Sequence, residues 1–86
     1  MAYIKIHFDA DKVTEIAPTP SAEEAVRFKF NPSGLASVNG IKSLTSALIT
    51  LLESYETNEN QELIATAREK IVTASMWSVL AVTKGV

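Results

Sequence analysis

The chain has 86 residues, of which 47% are hydrophobic and 21% charged. This length and composition predict one small folded domain, residues 1–86, and not a disordered chain. The formal net charge of −2 argues against binding a nucleic-acid polymer through bulk charge, and the lack of cysteine excludes disulfides, thiolate metal sites and cysteine nucleophiles.

The first 30 residues predict a small antiparallel β-meander. Apolar and polar side chains alternate over residues 3–8, residues 13–17 resemble a weaker strand, and residues 26–30 alternate again. Pro18 and Pro20 end the second strand. The start of the chain lacks the basic residues and long apolar run of a signal peptide, so we expect a soluble, cytosolic protein.

Pairing of these strands would bring four basic side chains to one surface of the sheet. A solvated face is the ordinary interpretation, and an anion-binding face is the alternative, since like charges on neighbouring strands repel unless an anion or an acidic residue such as Glu15 lies between them. The four basic residues are Lys5, His7, Arg27 and Lys29.

Residues 31–86 predict an antiparallel two-helix hairpin, so the fold class is α+β. The NPSG sequence at residues 31–34 is typical of a turn, and a helical period begins at about residue 36. A polar connection leads to a second helix over residues 61–83, with Gly85 placed to end it. The first helix carries one apolar stripe: Val38, Ile41, Leu44, Thr45, Leu48, Leu52 and Tyr55.

The second helix contains an uncharged segment, residues 71–82, that one helix and three short strands cannot cover. It is shorter than the ~20 residues of a membrane span, so we expect no membrane contact. Self-association would bury it, and we expect an obligate homo-oligomer. A monomer with the sheet folded over the helix is the alternative. The predicted interface residues are Ile71, Val72, Met76, Trp77, Val79 and Leu80.

Catalysis has no support in the residue pattern. His7 is the single histidine and has no partner for a metal site, so we expect no metal and no cofactor. No nucleophile–base pair can be formed without it, and the sequence contains no glycine-rich phosphate-binding motif. Periodicity and composition by themselves do not name a ligand.

Two stretches of the chain carry a resemblance: FNPSG…VNGIKSLTSALITLLE and AREKIVTASMWSVLAVTK. Together they resemble a family of small phage proteins, the anti-CBASS and Thoeris anti-defence sponges that share a helical-hairpin domain. The resemblance covers residues 30–84. Its most specific parts are FNP at residues 30–32, IK at residues 41–42 and ASMW at residues 74–77.

The resemblance implies a non-enzymatic protein that sequesters cyclic nucleotide immune signals in the cytoplasm of an infected bacterial host. It also implies a homo-hexamer, a trimer of dimers with ligand pockets between protomers. The signal would be a cyclic di- or trinucleotide or, because strands precede the hairpin as in the Thoeris-type branch, a cyclic ADP-ribose isomer. The alternative is a small non-catalytic protein-interaction module that oligomerises through its hairpin.

The resemblance assigns ligand contacts to six residues. It implies that Phe30 stacks on a base, that Lys42 contacts a phosphate, and that Lys84 belongs to a separate cyclic-trinucleotide site. Stacking and phosphate neutralisation suit these residue types. Asn31, Ser33 and Thr45 would be polar neighbours of the ligand.

Overall fold

The computed structural model describes residues 4–9 and 12–85, which form a β-hairpin followed by three helices. The chain is mostly helical with a small sheet. The two strands and the two long helices expected from the sequence are confirmed, and a short helix precedes the long pair. The elements are β1 (Ile4–Asp9), β2 (Lys12–Ile16), α1 (Pro20–Ala25), α2 (Ala36–Glu53) and α3 (Gln61–Thr83).

Strands β1 and β2 pair antiparallel, and both contact α2. Lys5 lies opposite Glu15 in the register, and the Lys5 Nζ is 3.3 Å from Glu15 Oε1. An acidic residue therefore faces this lysine across the hairpin, which is the arrangement that stabilises a cross-strand pair. The side chain of His7 lies outside the described residues.

The predicted third strand, residues 26–30, is wrong, and so is the β-meander. These residues end α1: the Arg27 N–H donates to the Glu24 carbonyl at 3.0 Å, and the Phe28 N–H donates to the Glu23 carbonyl at 2.8 Å. This is the Schellman pattern, with Arg27 at the left-handed position (φ 54°). Backbone donors that a strand would use for pairing are consumed by the end of the helix. Arg27 and Lys29 therefore do not share a sheet face with Lys5.

Hydrogen bonds attach α1 to the two long helices. The Thr19 N–H at the start of α1 donates to Thr50 Oγ1 at 3.0 Å. The Arg68 guanidinium on α3 donates to Ser21 Oγ at 3.1 Å and forms an ion pair with Glu53 on α2. One cation thus links all three helices.

Helices α2 and α3 pack antiparallel, which confirms the helical hairpin: Thr45 meets Ser75, while Glu53 near the end of α2 meets Arg68 near the start of α3. The core is small and lies where α1 meets the hairpin. Three buried residues form its centre and three partly buried residues pack around them. The first three are Ala22, Val26 and Ile49, and the others are Phe28, Ile71 and Val72.

The stripe predicted on α2 does not bury as one face. Val38 is buried, but Leu44, Leu48 and Tyr55 are 49–65% exposed. The buried side of α2 instead includes polar residues, among them Lys42 and Ser46. Periodicity identified the helix but not the face that packs, because burial depends on where α3, α1 and the two strands contact α2.

The molecule is elongated, with extents of 42 × 32 × 20 Å. Its accessible surface is 6131 Å², about 1,100 Å² more than the roughly 5,000 Å² expected of a compact monomer of this mass. None of the helices in the described part of the chain combines the length and hydrophobicity that a membrane span requires.

Candidate functional site

A shallow groove of about 240 Å³ lies between the segment after α1 and the C-terminal half of α3. Its lining includes two cations and one hydroxyl, and the remaining residues are apolar. The polar residues are Arg27, Lys42 and Ser75, and the apolar ones are Val26, Phe30, Met76, Val79 and Leu80.

Phe30 stands at the mouth of this groove with 54% of its surface exposed. The Phe30 N–H donates to the Arg27 carbonyl at 2.9 Å, which closes a tight turn. The Arg27 Cζ is 4.4 Å from the centroid of the Phe30 ring, and the Lys42 Nζ is 5.6 Å from it. Both cations are within the range of a cation–π interaction, so the ring is held among positive charges while part of it stays open to solvent.

Lys42 comes from α2 and is only 6% exposed. Its Nζ donates to the Arg27 carbonyl at 2.8 Å and to the Phe30 carbonyl. Burial, and to a smaller extent the charge of Arg27, lowers the pKa of the Lys42 ammonium. A buried charge is tolerated only when it is hydrogen-bonded, and here two carbonyls of the preceding turn serve that purpose.

Asn31 and Ser33 build the loop that leads into α2. The Asn31 Oδ1 accepts hydrogen bonds from Ser33 Oγ at 2.7 Å and from the Gly34 N–H at 3.1 Å. The Asn31 amide donates to the Leu35 carbonyl at 3.0 Å. Their polar atoms are engaged within the loop, so their contribution in the unliganded protein is to fix the backbone next to Phe30.

Thr45 is not a lining residue of the groove but contacts one, Ser75. Its Oγ1 is 3.2 Å from Ser75 Oγ and donates to the Ile41 carbonyl at 2.8 Å. Ser75, which is 2% exposed, is the residue that lines the groove. Thr45 therefore joins α2 to α3 beneath the floor.

Lys84 lies apart from Phe30 and Lys42. It is the C-cap of α3 and lines a second, open groove with Trp77, Leu80, Ala81 and Thr83. Leu80 lines both grooves. The six predicted ligand residues thus fall into two places, with Lys84 in the second.

Three of the predicted interface residues form an exposed apolar surface at the C-terminal half of α3. Met76, Trp77 and Leu80 are 64%, 68% and 58% exposed. These three residues and Ala81, which is also exposed, are called the C-terminal patch below. Val79 lines the groove instead. Ile71 and Val72 pack against the core of their own protomer, so within the chain they already have an apolar cover.

Sequence reasoning missed Arg27 as part of this site. Alternation in a five-residue segment assigned it to a sheet face, whereas the Schellman turn after α1 directs it over Phe30. Neither ion pair among the described side chains includes Arg27. The helix-starting sequence at Pro20 signals a helix before residue 27, but it does not set where that helix ends.

Comparison of the chain with protein-family models, curated proteins and solved structures finds no significant match. The resemblance of residues 30–84 to the sponge family therefore depends on the short motifs alone.

Proposed function

We propose that the protein is a phage-type anti-defence sponge that binds cyclic nucleotide immune signals and sequesters them without cleaving them. The observation that carries this proposal is the exposed Phe30 ring, flanked by Arg27 and Lys42 at the mouth of an apolar groove. A base stacked on Phe30 would gain about 1–3 kcal/mol. A phosphate of the same ligand would lie against the cations of the groove.

The chemistry of the groove supports binding more than hydrolysis. Its described polar groups are two cations and the hydroxyl of Ser75. That hydroxyl neighbours Thr45, and no carboxylate or imidazole is among the described lining residues that could remove its proton. The bound signal would be a cyclic di- or trinucleotide or a cyclic ADP-ribose isomer, since each combines a stackable base with phosphate.

We propose that the sponge is a homo-oligomer, a hexamer if the family pattern extends to it, and that the C-terminal patch is part of its interface. The excess surface of about 1,100 Å² is comparable to the ~800 Å² that each partner buries in an interface of standard size. Met76 and Leu80 belong to the patch and also line the groove. A second copy seated on the patch would therefore add a wall to the ligand site.

A small oligomerising protein-interaction module is the second candidate. It is favoured by the exposed apolar stripe on α2, where Leu44, Leu48 and Tyr55 lie outside the groove. A partner protein could cover such a stripe, whereas a nucleotide would make no use of it.

Ligand recovery separates these candidates. The protein is incubated with cyclic di-AMP, a cyclic triadenylate and cyclic ADP-ribose, freed of unbound ligand, and denatured, and the released molecule is identified by mass spectrometry. Recovery of intact ligand supports the sponge. Recovery of a cleaved product would indicate an enzyme, and recovery of nothing would favour the interaction module.

A further inference from the structure

We propose that Arg27 makes the ionic contact with the phosphate of the ligand, and that Lys42 is a positioning residue that holds the turn carrying Arg27 and Phe30. This inference depends on the proposed function and assigns the two cations of the groove to different tasks.

The hydrogen bonds of Lys42 are directed at its own backbone. Two of its three N–H groups donate to the carbonyls of Arg27 and Phe30, which are the two residues that present the site. The residue is 6% exposed, so its remaining N–H has little access to a ligand. A lysine in this setting stabilises the shape of the turn, because withdrawing its ammonium toward a phosphate would leave both carbonyls without their donor.

Arg27 has the complementary properties. Its side chain is exposed, and neither ion pair among the described side chains includes it. Its guanidinium lies over the Phe30 ring with Cζ 4.4 Å from the centroid. A guanidinium can stack on an aromatic ring through its face while its N–H edges bind a phosphate in a bidentate manner.

The backbone at Arg27 is a second, independent observation. Its φ of 54° is in the left-handed region, at a helix-ending position where glycine is the usual residue. Arginine therefore occupies a conformation that glycine would adopt with less strain. Glycine would supply the same turn without the cation above Phe30, so the turn alone does not account for arginine at this position.

The test uses Arg27→Gly, Arg27→Lys and Lys42→Met, each measured for its melting temperature and for its affinity across a salt series. The probe is the member of the panel (cyclic di-AMP, cyclic triadenylate or cyclic ADP-ribose) that the unmodified protein binds. We expect Arg27→Gly to melt near the unmodified protein yet bind at least about tenfold more weakly, with a flatter salt dependence. Arg27→Lys should regain part of the affinity and all of the salt dependence.

Lys42→Met should melt well below the unmodified protein, and where it is folded it should bind weakly with an unchanged salt dependence. The proposal would be overturned if Arg27→Gly bound the probe with full affinity while Lys42→Met lost the salt dependence of binding. The two assignments would then be reversed. If the unmodified protein binds none of the probes, the proposed function fails and the Arg27 contact fails with it, whereas the melting temperature of Lys42→Met still decides the positioning role.

Discussion

Replacing Trp77 with alanine should weaken self-association strongly. Trp77 is 68% exposed in the protomer, and a tryptophan side chain can bury up to about 250 Å². Covering the exposed part would remove about 170 Å² from water, or about 4 kcal/mol at 25 cal/mol per Å². Alanine keeps a minor part of that gain, so each protomer would lose about 2–3 kcal/mol. In a two-fold interface both copies lose it, and the dissociation constant should rise at least about a thousandfold.

The assay takes advantage of Trp77 being the only tryptophan of the chain. Its fluorescence emission reports its own environment, so dilution of the unmodified protein should shift the emission to the red as light scattering records a falling mass. Leu63→Ala is the matched control. Leu63 is 73% exposed on the same helix, but it is 14 residues earlier in the chain, about 21 Å along the helix axis. That variant should assemble normally.

Two results would refute this reasoning. The first is a mass of 9.3 kDa with water-like emission at every concentration of the unmodified protein. The second is equal loss of assembly in Trp77→Ala and Leu63→Ala, which would mean that the interface is not centred on the C-terminal patch.

Four variants at three positions test the site, one by ligand affinity and three by stability. Phe30→Ala should weaken ligand binding by about 1–3 kcal/mol, with little change in its salt dependence. Calorimetry checks this once a melting curve has shown that the variant is folded. Undiminished affinity would exclude stacking on Phe30. Lys42→Met should lower the free energy of unfolding by about 2–4 kcal/mol, because two hydrogen bonds from a charged donor are lost. The folded state lowers the pKa of Lys42 below 10.5, so between the folded and unfolded pKa values the unfolded chain binds more protons. The free energy of unfolding of the unmodified protein, relative to that of Lys42→Met, should therefore rise with pH across that window. Urea denaturation measures this, and a fall with pH would contradict the burial of the Lys42 ammonium. The free energy of unfolding of Arg27→Gly should be within about 1 kcal/mol of that of the unmodified protein, since relief of backbone strain offsets the lost cation–π contact. Arg27→Val should be clearly less stable, because a β-branched residue resists positive φ. Equal stability of the two variants would argue against the left-handed turn.

The long elements were predictable because their signals are long. Helix α3 has 23 residues, and its bounds agree with the prediction of residues 61–83. Over such a length, local pattern and tertiary structure agree, so periodicity alone is sufficient. Strand β1, with only six residues, was also predicted from its alternation, and it pairs with β2.

The segment from α1 to Phe30 could not be predicted in the same way. Five alternating residues fit a strand and the end of a helix equally well, and the choice depends on hydrogen bonds to Glu23 and Glu24 that no spacing encodes. The site shares this difficulty. The resemblance to the family predicted Phe30 and Lys42, and the Lys42 Nζ lies 5.6 Å from the centroid of the Phe30 ring. Arg27 lies beside them only because of the left-handed turn.

Burial was the least predictable property. Part of the apolar stripe on α2 is exposed while Lys42 and Ser46 of the same helix are buried, because the packed face is set by the elements that contact α2, chiefly α3 and α1. Likewise Ile71 and Val72 were assigned to an interface from an uncharged run, and within the protomer they are partly buried against the core cluster, which that run did not indicate. Hydrophobicity indicates that a residue tends to be buried, but it does not identify what the residue packs against.

Native mass spectrometry of the unmodified protein incubated with cyclic di-AMP, cyclic triadenylate and cyclic ADP-ribose measures assembly and ligand retention in one spectrum. We expect a particle of several protomers whose mass exceeds a whole multiple of 9.3 kDa by the mass of an intact cyclic nucleotide. A bare protomer with no adduct from any of the three would exclude both the oligomer and the sponge.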